Sequence, residues 1–169
     1  MTKARGWPVL ALAVLSTGAL AVPALADEAG DSSFADLVRA RCLPAIFEGN
    51  PLQVGGLTAL DKQAASFFIG DRPGTVYAPA VPFLVLYDIA ETACSVQYYD
   101  ADPESLLPVI RAWMAHPGYG FQLDTSEGND ATRLSEVFVS DRTDPPTKVL
   151  INSDTEKNLM VVSVIRQGG

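Results

Sequence analysis

ETACSVQYYD, residues 91–100, is the stretch on which the fold turns. Cys94, Val96 and Tyr98 alternate with Ala93, Ser95, Gln97 and Tyr99, the period of two that sends successive side chains to opposite faces of a strand. The other of the two cysteines, Cys42, lies in SSFADLVRARCLPAIFEGNP. There Phe34, Leu37, Val38, Cys42, Ala45 and Ile46 recur at helical spacing, with Arg39, Arg41 and Glu48 off that face. A bond between Cys42 and Cys94 would pin this helix to the sheet face bearing Val96 and Tyr98. Whether the cysteines are expected to pair depends on where the chain resides.

The N-terminus speaks to that. Lys3 and Arg5 precede an almost unbroken apolar run, Pro8 to Val22. Ala24-Leu25-Ala26 has the small-x-small form of a signal peptidase site, and acidic residues start at Asp27. The run is shorter than the roughly 20 residues of a transmembrane helix, and Pro23 interrupts its end. Residues 1–26 are expected to be a signal peptide, residues 27–33 a flexible N-terminus, and residues 34–169 a single domain. No cysteine stands just after the apolar run, where a lipid-attachment cysteine would lie, so no lipid anchor is expected after cleavage. The expected localisation is periplasmic or secreted. In such oxidising compartments two cysteines usually pair; a buried pair of free thiols is the alternative.

The 143 residues after Ala26 suffice for one continuous core. They carry ten basic and 20 acidic residues, a formal charge of −10. That charge disfavours nucleic acid and anionic lipid as partners. A soluble surface accounts for it without any partner.

Pro44 lies inside the first helical pattern, so the helix should kink or restart there. A short helix follows, with Thr58 as a candidate cap, Asp61 three residues on, and AASFF as its buried face. GDRPGT is a turn, and TVYA, PFLVLYDI and ACSVQYY read as strands. Phe83 to Tyr87 is apolar on both faces, as in a central strand covered from both sides or a strand lying under the first helix. Asp102-Pro103 opens a second main helix with Leu106, Leu107, Ile110, Trp113 and Met114 as its apolar stripe. YGFQLD, ATRLSEVFVS, TKVLIN and NLMVVSVIR then form a meander with turns at TSEGND, DRTDPP and SDTEK. The expected fold is α+β: a mostly antiparallel sheet of six or seven strands, two main helices and one short one, with a helix-to-strand disulfide.

These elements resemble an uncharacterised family of small secreted or lipid-anchored bacterial proteins. In it a cysteine-bearing helix is followed by an AxxFF-like helix, a Tyr or Trp strand, an apolar strand, a C-S/R-V strand and a capped helix. The matching pieces are Phe34 and Cys42, Ala64 to Phe68, Tyr77, Phe83 to Tyr87, Cys94-Ser95-Val96 and Asp102-Pro103, over roughly residues 34 to 125. The resemblance implies an exported α+β domain with paired cysteines and transfers no catalytic residue. The missing lipid-attachment cysteine departs from the anchored members.

Motifs with chemistry are few. His116 is the one histidine. It could serve as a general base in a hydrolase, but no G-x-S-x-G elbow accompanies it, and a histidine capping a helix C-terminus explains it more simply. DTSEGND offers Asp124, Ser126 and Asp130 to calcium, yet Asn129 and Ser135 stand where an EF-hand loop needs Gly and Glu. A hairpin turn is the simpler reading. DADPE is a carboxylate cluster that a helix N-terminus attracts for dipole reasons alone. Tyr99 and Gln97 face outward and could line a groove. No phosphate-binding glycine loop or four-ligand metal set is present. No catalytic residue, metal or cofactor is therefore assigned. The leading expectation is a non-enzymatic binding or interaction domain with a protein partner or small ligand at the cell envelope. The alternatives are a hydrolase using His116 and an inhibitor or immunity-type protein suited to a basic target.

Overall fold

The computed structural model describes residues 24–80, 84–89, 92–128 and 132–166. Most of the expected signal peptide, residues 1–23, lies outside them. The first helix runs as three contiguous segments: α1 (Ala24–Ala35), a π-helical stretch (Asp36–Cys42) and α2 (Leu43–Phe47). Residues 27–33, expected to be flexible, are helical, and Ser32 and Ser33 lie inside α1 rather than at its cap. Tertiary packing outweighs the capping signal here. A Cβ at Gly30 would overlap Tyr98 Oη, so this turn lies directly on the sheet. One turn later the Phe34 ring stacks 5.7 Å from that of Tyr98.

The π stretch absorbs the proline. The Leu43 N–H donates to Val38 O, five residues back, and Pro44 falls in the first turn of α2, where its missing N–H removes no bond. The five-residue step sets Leu37 above Cys42 and Val38 above Leu43, and all four are buried. It does the same for a polar pair: Arg41 Nε donates to Asp36 Oδ2 at 2.8 Å. Arg41 Nη1 also donates to the carbonyls of Gln53 and Gly55, at 3.0 and 2.8 Å, and so ties down the following loop.

The sheet has eight strands among the described residues: β1 (Thr58–Ala59), β2 (Thr75–Ala78), β3 (Leu84–Ile89), β4 (Ala93–Tyr99), β5 (Gln122–Gly128), β6 (Arg133–Ser140), β7 (Thr147–Asp154) and β8 (Leu159–Arg166). Their order is β1-β2-β3-β4-β8-β7-β6-β5, and every neighbouring pair is antiparallel. The α+β class holds, but the counts do not. The additional strand is β1, and Thr58, expected to cap a helix, pairs with Ala78 instead. Asp61 caps α3 (Lys62–Ile69), its Oδ1 accepting the Ala64 N–H at 2.9 Å. With α4 (Pro103–Met114) there are five helical segments among the described residues rather than three. Of the face expected to be buried in the short helix, Ala65 is buried but Phe67 is 83% exposed. TSEGND is not simply a turn: β5 continues through Thr125–Gly128, past an irregularity between Leu123 and Thr125.

The inward face follows the sequence period. Cys94 registers with Val164 and Val164 with Val149; Val96 registers with Val162 and Val162 with Ile151. All six are buried in one core with the N-terminal helix and α4. Cys42 and Cys94 are disulfide-bonded, with Cα atoms 5.3 Å apart, and join helix to sheet at the expected place. β3 is covered on both faces, the first of the two arrangements its apolar run allowed: Leu86 enters this core, and Tyr87 joins a second cluster with Ala65, Ile69 and Val76. Asp102 caps α4, its Oδ1 accepting the N–H groups of Glu104 and Ser105, and Leu106, Ile110 and Met114 are buried below. α4 is also clamped to β6. Arg111 makes a two-point contact with buried Glu136, Nε to Oε2 at 3.0 Å and Nη2 to Oε1, and this hydrogen bonding holds its guanidinium above the ordinary arginine pKa.

Candidate functional site

The strand period that builds the core also brings two charged residues onto its face. Asp88 lies two residues beyond Leu86 on β3, opposite Cys94, and Arg166 lies two beyond Val164 on β8. The C-terminal end of α2 and the loop after it roof them over. The resulting cavity, of about 480 Å³, is lined by Ala45, Ile46, Pro51 and Leu52 as well as by Asp88 and Arg166. Its size is in the range that holds small-molecule ligands. The disulfide at Cys94 fixes the helix directly beside it.

Two features distinguish this cavity chemically. Burial pushes the Asp88 carboxyl above the ordinary carboxylate pKa. Arg166 is held by its backbone N–H to Thr92 O at 2.9 Å and by Nη2 to Phe47 O at 3.3 Å, while its Nε is buried with no hydrogen-bond partner. Buried donors are nearly always satisfied. Among the described residues, Asp88 and Arg166 share the cavity without forming an ion pair. A larger, open hollow of about 700 Å³ lies across β5–β7 beside Asp124, Asp141, Arg142 and Lys148. None of the described residues lining it has a buried side-chain nitrogen or oxygen without a partner, as Arg166 has, so the smaller cavity is the stronger site.

The residues singled out by motif reading do not converge. His116 is exposed after α4, and its Nδ1 accepts the Gly118 N–H at 3.1 Å, so this nitrogen is not donating to the helix carbonyls as a C-terminal cap would. Among the described residues its contacts are to the Gly118 N–H and the Tyr119 ring, not to a serine or a carboxylate. Asp124 and Ser126 are exposed on β5, Asp130 lies outside the described residues, and no group of metal-ligating side chains occurs among those described. Tyr99 and Gln97 do face outward and bond to each other, Oη to Oε1 at 2.7 Å. Of the DADPE carboxylates, Asp102 serves as the cap of α4.

The sequence reading passed over Asp88 and Arg166. The signal was available: in LVLYD and VVSVIR each charged residue falls in phase with the buried positions of its strand. Charged residues on that phase are seldom buried unless paired or used.

No family model, curated protein or solved structure matches the chain. No helix among the described residues is long and apolar enough to cross a membrane.

Proposed function

We propose that the chain is an exported, non-enzymatic binding domain that takes a small ligand in the cavity between α2 and the β3–β4–β8 region of the sheet. The observation that carries this reading is the buried, unpartnered Arg166 Nε beside a cavity that also holds the Asp88 carboxyl. A polar atom left unsatisfied in a packed fold costs stability, and a partner that arrives from outside removes that cost. Export is supported by the N-terminal layout of charge, apolar run and Ala24-Leu25-Ala26, and agrees with a disulfide at Cys42–Cys94. The membership suggested by the C-S-V strand and the cysteine-bearing helix belongs to the same proposal.

Native mass spectrometry of the protein, expressed with its own N-terminus and purified without reductant, tests this reading. The expected species is Asp27–Gly169 less its two thiol hydrogens, carrying added mass that leaves on denaturation. A full-length or two-thiol species would overturn export, and a bare monomer from every preparation would count against a resident ligand.

A further inference from the structure

We propose that the Asp88–Arg166 cavity recognises a small zwitterion, an α-amino acid with an aliphatic side chain, its carboxylate on Arg166 and its ammonium on Asp88. This rests on the reading that the cavity is a ligand site, and it names the ligand class.

The donor side comes first. Arginine presents a planar fork of N–H groups that matches a carboxylate. In Arg166 only Nη2 is engaged by the protein, through a long bond to Phe47 O. Nη1 approaches Gly49: a Cβ built there would lie 4.0 Å from Nη1 and Nη2. Gly49 has φ +75°, a conformation glycine adopts freely, so the loop passes the guanidinium without a side chain over it. The acceptor side is Asp88, whose carboxyl accepts no hydrogen bond among the described residues while it lines the same cavity. An anion alone would satisfy Arg166 and be repelled by Asp88. A cation alone would do the reverse. A molecule carrying both charges a few ångströms apart meets both groups at once. Ala45, Ile46, Pro51 and Leu52 supply the apolar wall for an aliphatic side chain. A metal ion fits poorly, because Asp88 is the one carboxylate in the lining and a guanidinium lines the same cavity.

The test is isothermal titration calorimetry of the oxidised protein, first unfolded and refolded to strip any resident ligand. The probes are L-leucine, 4-methylpentanoate, which lacks the ammonium, and 3-methylbutylamine, which lacks the carboxylate. Saturable binding of L-leucine, with each single-charge analogue at least tenfold weaker, is the expected result. Asp88→Asn should weaken L-leucine at least tenfold and leave 4-methylpentanoate unchanged or tighter. Arg166→Lys, which keeps the charge but loses the fork, should weaken both. If 4-methylpentanoate binds as tightly as L-leucine and Arg166→Lys abolishes it, the zwitterion is refuted while the cavity stands as a carboxylate site. L-leucine binding that neither substitution alters, with both variants folded by circular dichroism, refutes the placement. Absence of binding by all three probes, together with a bare mass for the exported protein, refutes both the zwitterion and the ligand site.

Discussion

Replacing Cys42 and Cys94 together with alanine should cost the fold about 4 kcal/mol, chiefly by releasing the unfolded chain. The bond joins residues 52 apart in sequence, and closing a loop of that length removes about 14 cal/mol/K from the unfolded ensemble in the chain-entropy model. Loss of two buried sulfurs acts in the same direction. The native state should survive the change, because Phe34, Leu37, Val38, Leu43 and Ile46 bury the N-terminal helix independently of the bond. For a domain of this size the loss corresponds to a fall of roughly 8–16 °C in Tm. Urea unfolding of the oxidised protein and the double variant, followed by far-UV circular dichroism, measures the difference. The variant should also show a larger m value, since its unfolded chain is no longer looped and exposes more surface. A loss below about 1 kcal/mol would refute the reasoning, because it would mean the loop is already closed in the unfolded state or the sheet and helix are held otherwise.

Gly30→Ala places a methyl group into Tyr98 Oη and should lower stability by about 1–3 kcal/mol in the same urea assay; an unchanged midpoint would show that α1 does not lie on the sheet there. Arg111→Ala leaves Glu136 charged and buried, and because Arg111 itself is 45% exposed the loss should be about 1–3 kcal/mol, with Arg111→Met plus Glu136→Leu recovering most of it; a double variant no better than the single would refute the buried-charge account. Asp88 binds its proton more tightly folded than unfolded, so its contribution to stability falls as pH rises from the ordinary carboxylate value through the raised one. Asp88→Asn should therefore melt higher than the parent at neutral pH, with the gap closing in acid; parallel Tm curves between about pH 3 and 7 would contradict this.

The legible parts of the sequence were those where one period governs one element. The alternation in ACSVQYY and the Asp102-Pro103 start of α4 need only local chemistry, and both stand as read. The misread parts are those where a distant contact decides. Ser32 and Ser33 carry a sound capping signal, but the gain from laying Gly30 and Phe34 on Tyr98 keeps the helix running through them. Thr58 fails as a cap because β2 offers its backbone a strand partner. Phe67 stays outside because the face of α3 turned to the second core cluster carries Ala65, Phe68 and Ile69. Two-residue strands such as β1 have no periodicity to read.

The candidate site was illegible for a related reason. Motif reading looks for chemistry concentrated in a short segment, and so it selected His116, DTSEGND and DADPE, which remain apart in the fold. Asp88 and Arg166 are 78 positions apart in the numbering and are united only because β3, β4 and β8 are neighbours in the sheet. A single charged residue on a strand looks like solvent-facing decoration unless its phase is checked against the buried positions of that strand. Once the phase is checked, each residue is an exception to the rule that builds the core, and the two exceptions line one cavity. Neighbouring charges meet often on protein surfaces; a charged pair on the core side, left without a mutual bond and roofed by a helix end that a disulfide holds in place, is the feature the proposed ligand would account for.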